Sequence, residues 1–296
     1  MQSKQSTDKA IAFKHYFPTF MPLLESAKKT FNYKSNYFEE VALFFKAHQA
    51  KLLELLRHDA CKFMLKEWMI LESHQKGSIV VHTLYVVTMI FLDQNFVNLP
   101  PLHQEILLWS AFLHDICKRG RPVMLGKDHV HPFNSSVAML RIFSQLGFIN
   151  VKEHELNEVC LAIQTSFVSV ELPQAYKQCC DQIHDHSKIH TFMPQIRKIC
   201  SCRFSYSVFV FICFHQSITV IKHFPHQSVL SEAQIVEIFD EEMMELFKYL
   251  MSYDSLSYTF MQPDTSCKNK QEVYETLTAW QKKIIKARKM PNDSQQ

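Results

Sequence analysis

The run Ala111-Phe112-Leu113-His114-Asp115-Ile116-Cys117-Lys118 carries the strongest chemical signal in this chain of 296 residues. An apolar helix that ends in His and Asp draws a carboxylate into the core, where an unpaired charge is costly. A metal cation is one partner that satisfies such a pair. The following loop crowds Lys118, Arg119, Arg121 and Lys127, with Gly120 and Gly126 spaced along it. Cationic donors beside a metal are what a phosphate ester needs, because they hold the ground state and neutralise charge on the equatorial oxygens during transfer. Away from a metal, the same loop is a solvated basic surface. A second set of ligand types, Cys179, Cys180, His184, His186, His190, Cys200 and Cys202, has cysteines that are adjacent or one residue apart. The usual zinc pairs are C-x₂-C, so packed cysteines are the favoured reading and a structural zinc the lesser one.

The elements that position these residues are helical. Only four glycines occur, Gly77, Gly120, Gly126 and Gly147, where average usage would give roughly twenty. No two stand close enough for a G-x-G-x-x-G or Walker turn, and the scarcity favours long helices with short connections. Apolar periodicity predicts helices over Tyr37 to Leu56, Ser78 to Leu92, Leu102 to Cys117, Asn134 to Leu146, Glu153 to Phe167, Ser231 to Tyr253 and Gln271 to Lys289. Ser231 is the expected N-cap of its helix, and Gly147 the expected stop after Leu146. The stretch from Leu172 to His226 suits strand and helix equally. Within it, Phe204 to Ile221 is uncharged but includes His215, Gln216 and several hydroxyls, which favours a buried element over a membrane span.

His82 stands thirty-two positions before His114 in an otherwise apolar helix. The order His, His-Asp and a late Asp resembles the HD-domain superfamily of metal-dependent phosphohydrolases, over roughly Lys76 to Phe260. Many members of that family read H-D-x-G-K where this chain has His114-Asp115-Ile116-Cys117-Lys118. The resemblance implies an all-α, HD-like helical bundle over 35–260 with a poorly matched insertion at about 172–226. A polar N-terminal segment, 1–34, and a C-terminal amphipathic helix with a frayed tail, 261–296, flank it. It also implies His82, His114 and Asp115 as metal ligands. Asp254, in Tyr249-Leu-Met-Ser-Tyr-Asp254, matches the family's late Asp best, with Asp181 and Asp185 as alternatives nearer in sequence. Family members with two metals carry two more histidines. His131 fits the first position, but Gln164-Thr165 stand where the second is expected, so one divalent ion (Mn, Fe, Co, Ni, Zn or Mg) is the expectation.

On this reading Lys118, Arg121, Lys127 and His131 bind the phosphate of a nucleotide or other small ester. Lys118, Asp128 and His131 serve the leaving group or the attacking water. The rivals are a non-catalytic HD-fold scaffold and a dinuclear iron oxygenase. Thirty-two Lys+Arg against 29 Asp+Glu leave a net charge of only +3, which argues against a nucleic-acid partner. An odd count of nine cysteines, most of them in apolar text, and no recognisable secretory signal point to a reducing, cytoplasmic setting.

Overall fold

The computed structural model describes residues 11–31, 37–60, 79–218, 229–257 and 263–289. The expected N-cap Ser78 and the frayed tail 291–296 lie outside them. The chain is all-α. Its helices are α1 (Phe13–Tyr16), α2 (Met21–Thr30), α3 (Tyr37–Ala60), α4 (Ile79–Leu92), α5 (Pro101–Leu113), α6 (His131–Gln145), α7 (Glu153–Gln164), α8 (Met193–Ile199), α9 (Arg203–Phe214), α10 (Glu232–Ile238), α11 (Glu241–Ser257) and α12 (Pro263–Lys289). A two-stranded antiparallel ribbon joins β1 (Phe167–Ser169) to β2 (Gln182–His184), with Phe167 opposite His184.

Helices that are apolar on every side must sit inside. In α4 all residues but Val81 are buried, and in α9 all but Arg203 and Tyr206 are. These two flank α5, whose last eight residues, Ile106 to Leu113, are buried as well. α3 covers α4, α6 covers α9, and α11 packs across α4 and α5 with α12 on its outer side. The stretch expected as an insertion therefore holds a central helix, α9. Its aromatic run fills the core and needs no strand partner.

The N-terminal segment also departs from expectation. From Phe13 onward it is core, because the aromatic side chains of Phe13, Phe17 and Phe20 recur at four and three and bury one apolar stripe. Phe17 meets Trp109 and Phe112 edge to face. Trp109 Nε1 donates to the carbonyl of Ile11, and Asp59 from α3 accepts the backbone N–H groups of Thr19 and Phe20 just before α2. The single helix expected over Ser231 to Tyr253 is two. Phe239 is extended, and Asp240 accepts from the Met243 N–H to start α11 while pairing with Arg203. Ser231 caps α10 in a capping box with Gln234, as expected. Gly147 ends α6 at φ +74°, where a side chain would be strained. Among the described residues no helix is long and apolar enough to cross a membrane.

If residues 13–20 belong to the core, Phe17→Ala should lower the unfolding free energy in urea by about 3–5 kcal/mol. A change below about 0.5 kcal/mol, the usual range for a surface position, would show that the segment is only appended.

Candidate metal centre

Six side chains converge where α4, α5, α6, α9 and α11 meet, and each stands within about a turn of a helix end. His82 is the fourth residue of α4, His114 caps the C-terminus of α5 and Asp115 follows it. His131 opens α6 with Pro132 in its first turn, and His215 caps the C-terminus of α9. Asp254 lies in the last turn of α11.

They form two groups. The donor atoms of His82, His114 and Asp254 lie within 4.8 Å of one another, and so do those of Asp115, His131 and His215. In the first, Asp254 Oδ1 stands 3.0 Å from His82 Nε2 and 3.6 Å from His114 Nε2. In the second, Asp115 Oδ1 stands 2.9 Å from His131 Nε2 and 3.7 Å from His215 Nε2. Asp115 reaches both, since its Oδ2 lies 3.5 Å from His82 Nε2 and 3.6 Å from His114 Nε2. Donors about 2.1 Å from one ion stand about 3.0 Å apart at right angles and about 3.4 Å apart in a tetrahedron, and the spacings here run from 2.9 to 3.7 Å.

The outer atoms decide what the inner ones offer. His114 Nδ1 donates to the Ala111 carbonyl, His215 Nδ1 to that of Ile212 and His131 Nδ1 to that of Asp128. Ser257 donates its hydroxyl proton to the Asp254 carbonyl, so its oxygen accepts from His82 Nδ1 at 2.8 Å. With Nδ1 donating outward, each of the four rings turns its Nε2 inward. His82 and His114 Nε2 are 3.3 Å apart, and His131 and His215 Nε2 are 3.1 Å apart. Two neutral rings so placed would face each other with lone pairs, and a proton between them or a cation held there removes that conflict. Three helix C-termini, those of α5, α9 and α11, also turn the negative ends of their dipoles toward this point. The donor set fits divalent metal ions of the imidazole-and-carboxylate kind.

The local charges agree. Against the upward push of burial, Lys118, His114 and His131 hold the Asp115 carboxyl well below the usual range, and His114 and His82 do the same for Asp254. Burial pushes His82 and His215 down. It pushes His114 the same way, but the adjacent Asp115 and Asp254 charges outweigh it and hold that group up.

Of the expected site residues, His82, His114, Asp115 and Asp254 come together. Asp254 is the distal carboxylate, since Asp185 instead caps a short 3-10 turn through Ser187 and Asp181 is exposed. His131 stands in the second group, with Nε2 2.9 Å from Asp115 Oδ1. His215 went unassigned in the sequence although Cys213-Phe214-His215 repeats the signal of Phe112-Leu113-His114, a histidine at the end of an apolar helix. Lys118 is buried with Nζ 2.7 Å from Asp115 Oδ2, and Lys127 lies within electrostatic reach of Lys118 and Asp254.

Asp128 is engaged by Arg119. Its carboxylate is buried and accepts from the Arg119 backbone N–H, Nε and Nη2, each at 2.9 Å, and these bonds keep it ionised despite burial. Among the described residues no hydrogen bond or ion pair joins Arg121 to the cluster. No three of the Cys and His residues between 179 and 202 come within metal-holding distance. His184 stacks on Phe133 and donates to Ser166, and Cys202 caps α9. Comparison with protein-family models, curated proteins and solved structures finds no match.

Burial pushes His184 down to about 3 and His186 to about 4. Between pH 6.5 and 4 both are then neutral in the folded chain but protonated in the unfolded one, so stability falls as pH falls, by about 1.4 kcal/mol per unit for each group. The unfolding free energy should drop by about 2–3 kcal/mol from pH 6 to 5. The double variant His184→Gln, His186→Gln should lose most of that slope, and an unchanged slope would contradict the assignment.

Proposed function

We propose that the chain is a metal-dependent phosphohydrolase acting on a small phosphate ester. One divalent ion is held by His82, His114 and Asp254 and a second by His131 and His215, with Asp115 shared between them. The observation that carries this reading is the pair of buried His/Asp groups joined through Asp115 with lysines on the same side. Ions held there supply Lewis acidity and a water acidified to a pKa of about 7, able to attack phosphorus at neutral pH.

The chain's own groups do the rest. Backbone carbonyls and Ser257 hold each imidazole in one tautomer, so the site is ordered before substrate arrives. Lys118 balances part of the Asp115 charge and, with Lys127, offers cationic donors to the phosphate oxygens. Burial and the nearby Lys118 lower Lys127 to about 8. That makes it the group best matched to give a proton to the departing oxygen. Asp128 cannot, because Arg119 holds it ionised.

A dinuclear iron oxygenase is the second reading. Its main obstacle was Gln164-Thr165 in place of a histidine, and His215 removes that obstacle. Hydrolysis is favoured because two lysines at the cluster suit an anionic substrate, which dioxygen chemistry does not require.

Metal analysis of protein loaded with Mn²⁺ or Co²⁺ should give two ions per chain, and His215→Ala should give one. Phosphate release from a panel of nucleotides and sugar phosphates should fall by about 10³ or more in Asp115→Ala. Equal rates in the two proteins would end the hydrolase reading. Oxygen consumption by iron-loaded protein with no phosphate release would install the oxygenase in its place.

A further inference from the structure

The cationic loop that follows the His-Asp pair is held at its base by two adjacent thiols that the proposed chemistry does not use. Cys180 donates its N–H to the Lys127 carbonyl at 2.8 Å, and its Sγ lies 3.0 Å from Arg119 Nη2. The Lys127 N–H points at Cys179 Sγ from 3.3 Å. The contact is close along the backbone as well, since a Cβ at Gly126 would stand 2.4 Å from the Gln178 carbonyl oxygen. Cys179 is partly exposed and Cys180 is buried, and both are free thiols. The Arg119 guanidinium lies against one, and the Lys127 ammonium acts electrostatically on the other. Partly exposed thiols beside cations are the ones that react with oxidants.

We propose that Cys179 and Cys180 form an oxidative modification site, at which a peroxide joins the two thiols in a vicinal disulfide and releases the loop that carries Lys118 and Lys127. The Cys179 thiol attacks one peroxide oxygen: an S–O bond forms, the O–O bond breaks, and the thiol proton passes to the departing oxygen, which leaves as the first water. Cys180 then attacks the sulfenic sulfur: the S–S bond forms, the S–O bond breaks and the second water leaves. The thiols lose two electrons and two protons, and the peroxide gains both. A disulfide between neighbours brings their Cβ atoms to about 3.8 Å and closes a small ring through the shared peptide. Closing it draws Cys179 Sγ from the Lys127 N–H toward Cys180 Sγ and so removes one of the two bonds that hold the loop. The effect on catalysis rests on the hydrolase reading, whereas the thiol chemistry does not.

The test treats the full chain with hydrogen peroxide, alkylates it and reads the tryptic peptide Gln178–Lys188 by mass. That peptide should escape alkylation and become lighter by two hydrogens. Amide exchange over 118–130 should rise by about tenfold and return on reduction with dithiothreitol. Cys179→Ser, which keeps an acceptor for the Lys127 N–H, should show neither change. Continued alkylation of both thiols, or a disulfide with unchanged loop exchange, overturns the proposal. Absence of phosphate release from reduced protein would instead count against the hydrolase reading and leave the mass and exchange results to be judged alone.

Discussion

A carboxylate sealed in a helical core must find positive charge, and Asp115 governs how this bundle closes. One oxygen faces His82, His114 and Lys118 and the other faces His131 and His215. To bring those groups within reach, α4, α5, α6 and α9 must all present an end to the same point, and α11 must arrive with Asp254. Helix ends suit this use. Their last carbonyls lack helical partners, and here those of Ala111, Ile212 and Asp254 position imidazoles directly or through Ser257. What would be unsatisfied backbone in the core becomes the outer layer of the candidate metal centre.

The same arrangement sets function against stability. With four imidazoles turned inward and two carboxylates held ionised, Lys118 is the buried ammonium within hydrogen-bond reach. An apolar filling of equal volume would suit the fold better. The aromatic packing of Phe13, Phe17, Trp109 and Phe112 around α5 supplies stabilisation on the far side of the helix that carries His114. Strain at one end of α5 is offset by packing along its length.

Much of this was legible in the sequence, for identifiable reasons. The all-α class followed from the few glycines and the three-and-four periodicity, and His114-Asp115 stood out because polar groups are rare at the end of an apolar run. His82 and Asp254 needed the resemblance to place them, since their partners lie 32 and 139 positions away and spacing alone does not specify tertiary meeting points. His215 was hidden by its segment. Phe204 to Ile221 reads equally as strand or helix, and only as helix α9 does it deliver His215 beside His131. The break between α10 and α11 was hidden because Asp240 both caps a helix and pairs with Arg203 across 37 positions. The depth of the N-terminal segment escaped because the three buried aromatics there, Phe13, Phe17 and Phe20, are diluted by polar neighbours.

On the proposed reading, anion recognition at the cationic loop falls to side chains. Among the described residues the one glycine with positive φ is Gly147, at the end of α6, so no backbone nest forms beside the cluster. The loop is fixed instead by Arg119 and Asp128, by Cys180 on the Lys127 carbonyl and by the tight approach of Gly126 to Gln178. Charges held by such bracing need no reorganisation when negative charge develops nearby, which makes them effective in a site shielded from water. On the proposed reading Asp128 is a brace rather than an acid. Its ion pair with Arg119 orders the segment between Lys118, which Asp115 holds directly, and Lys127.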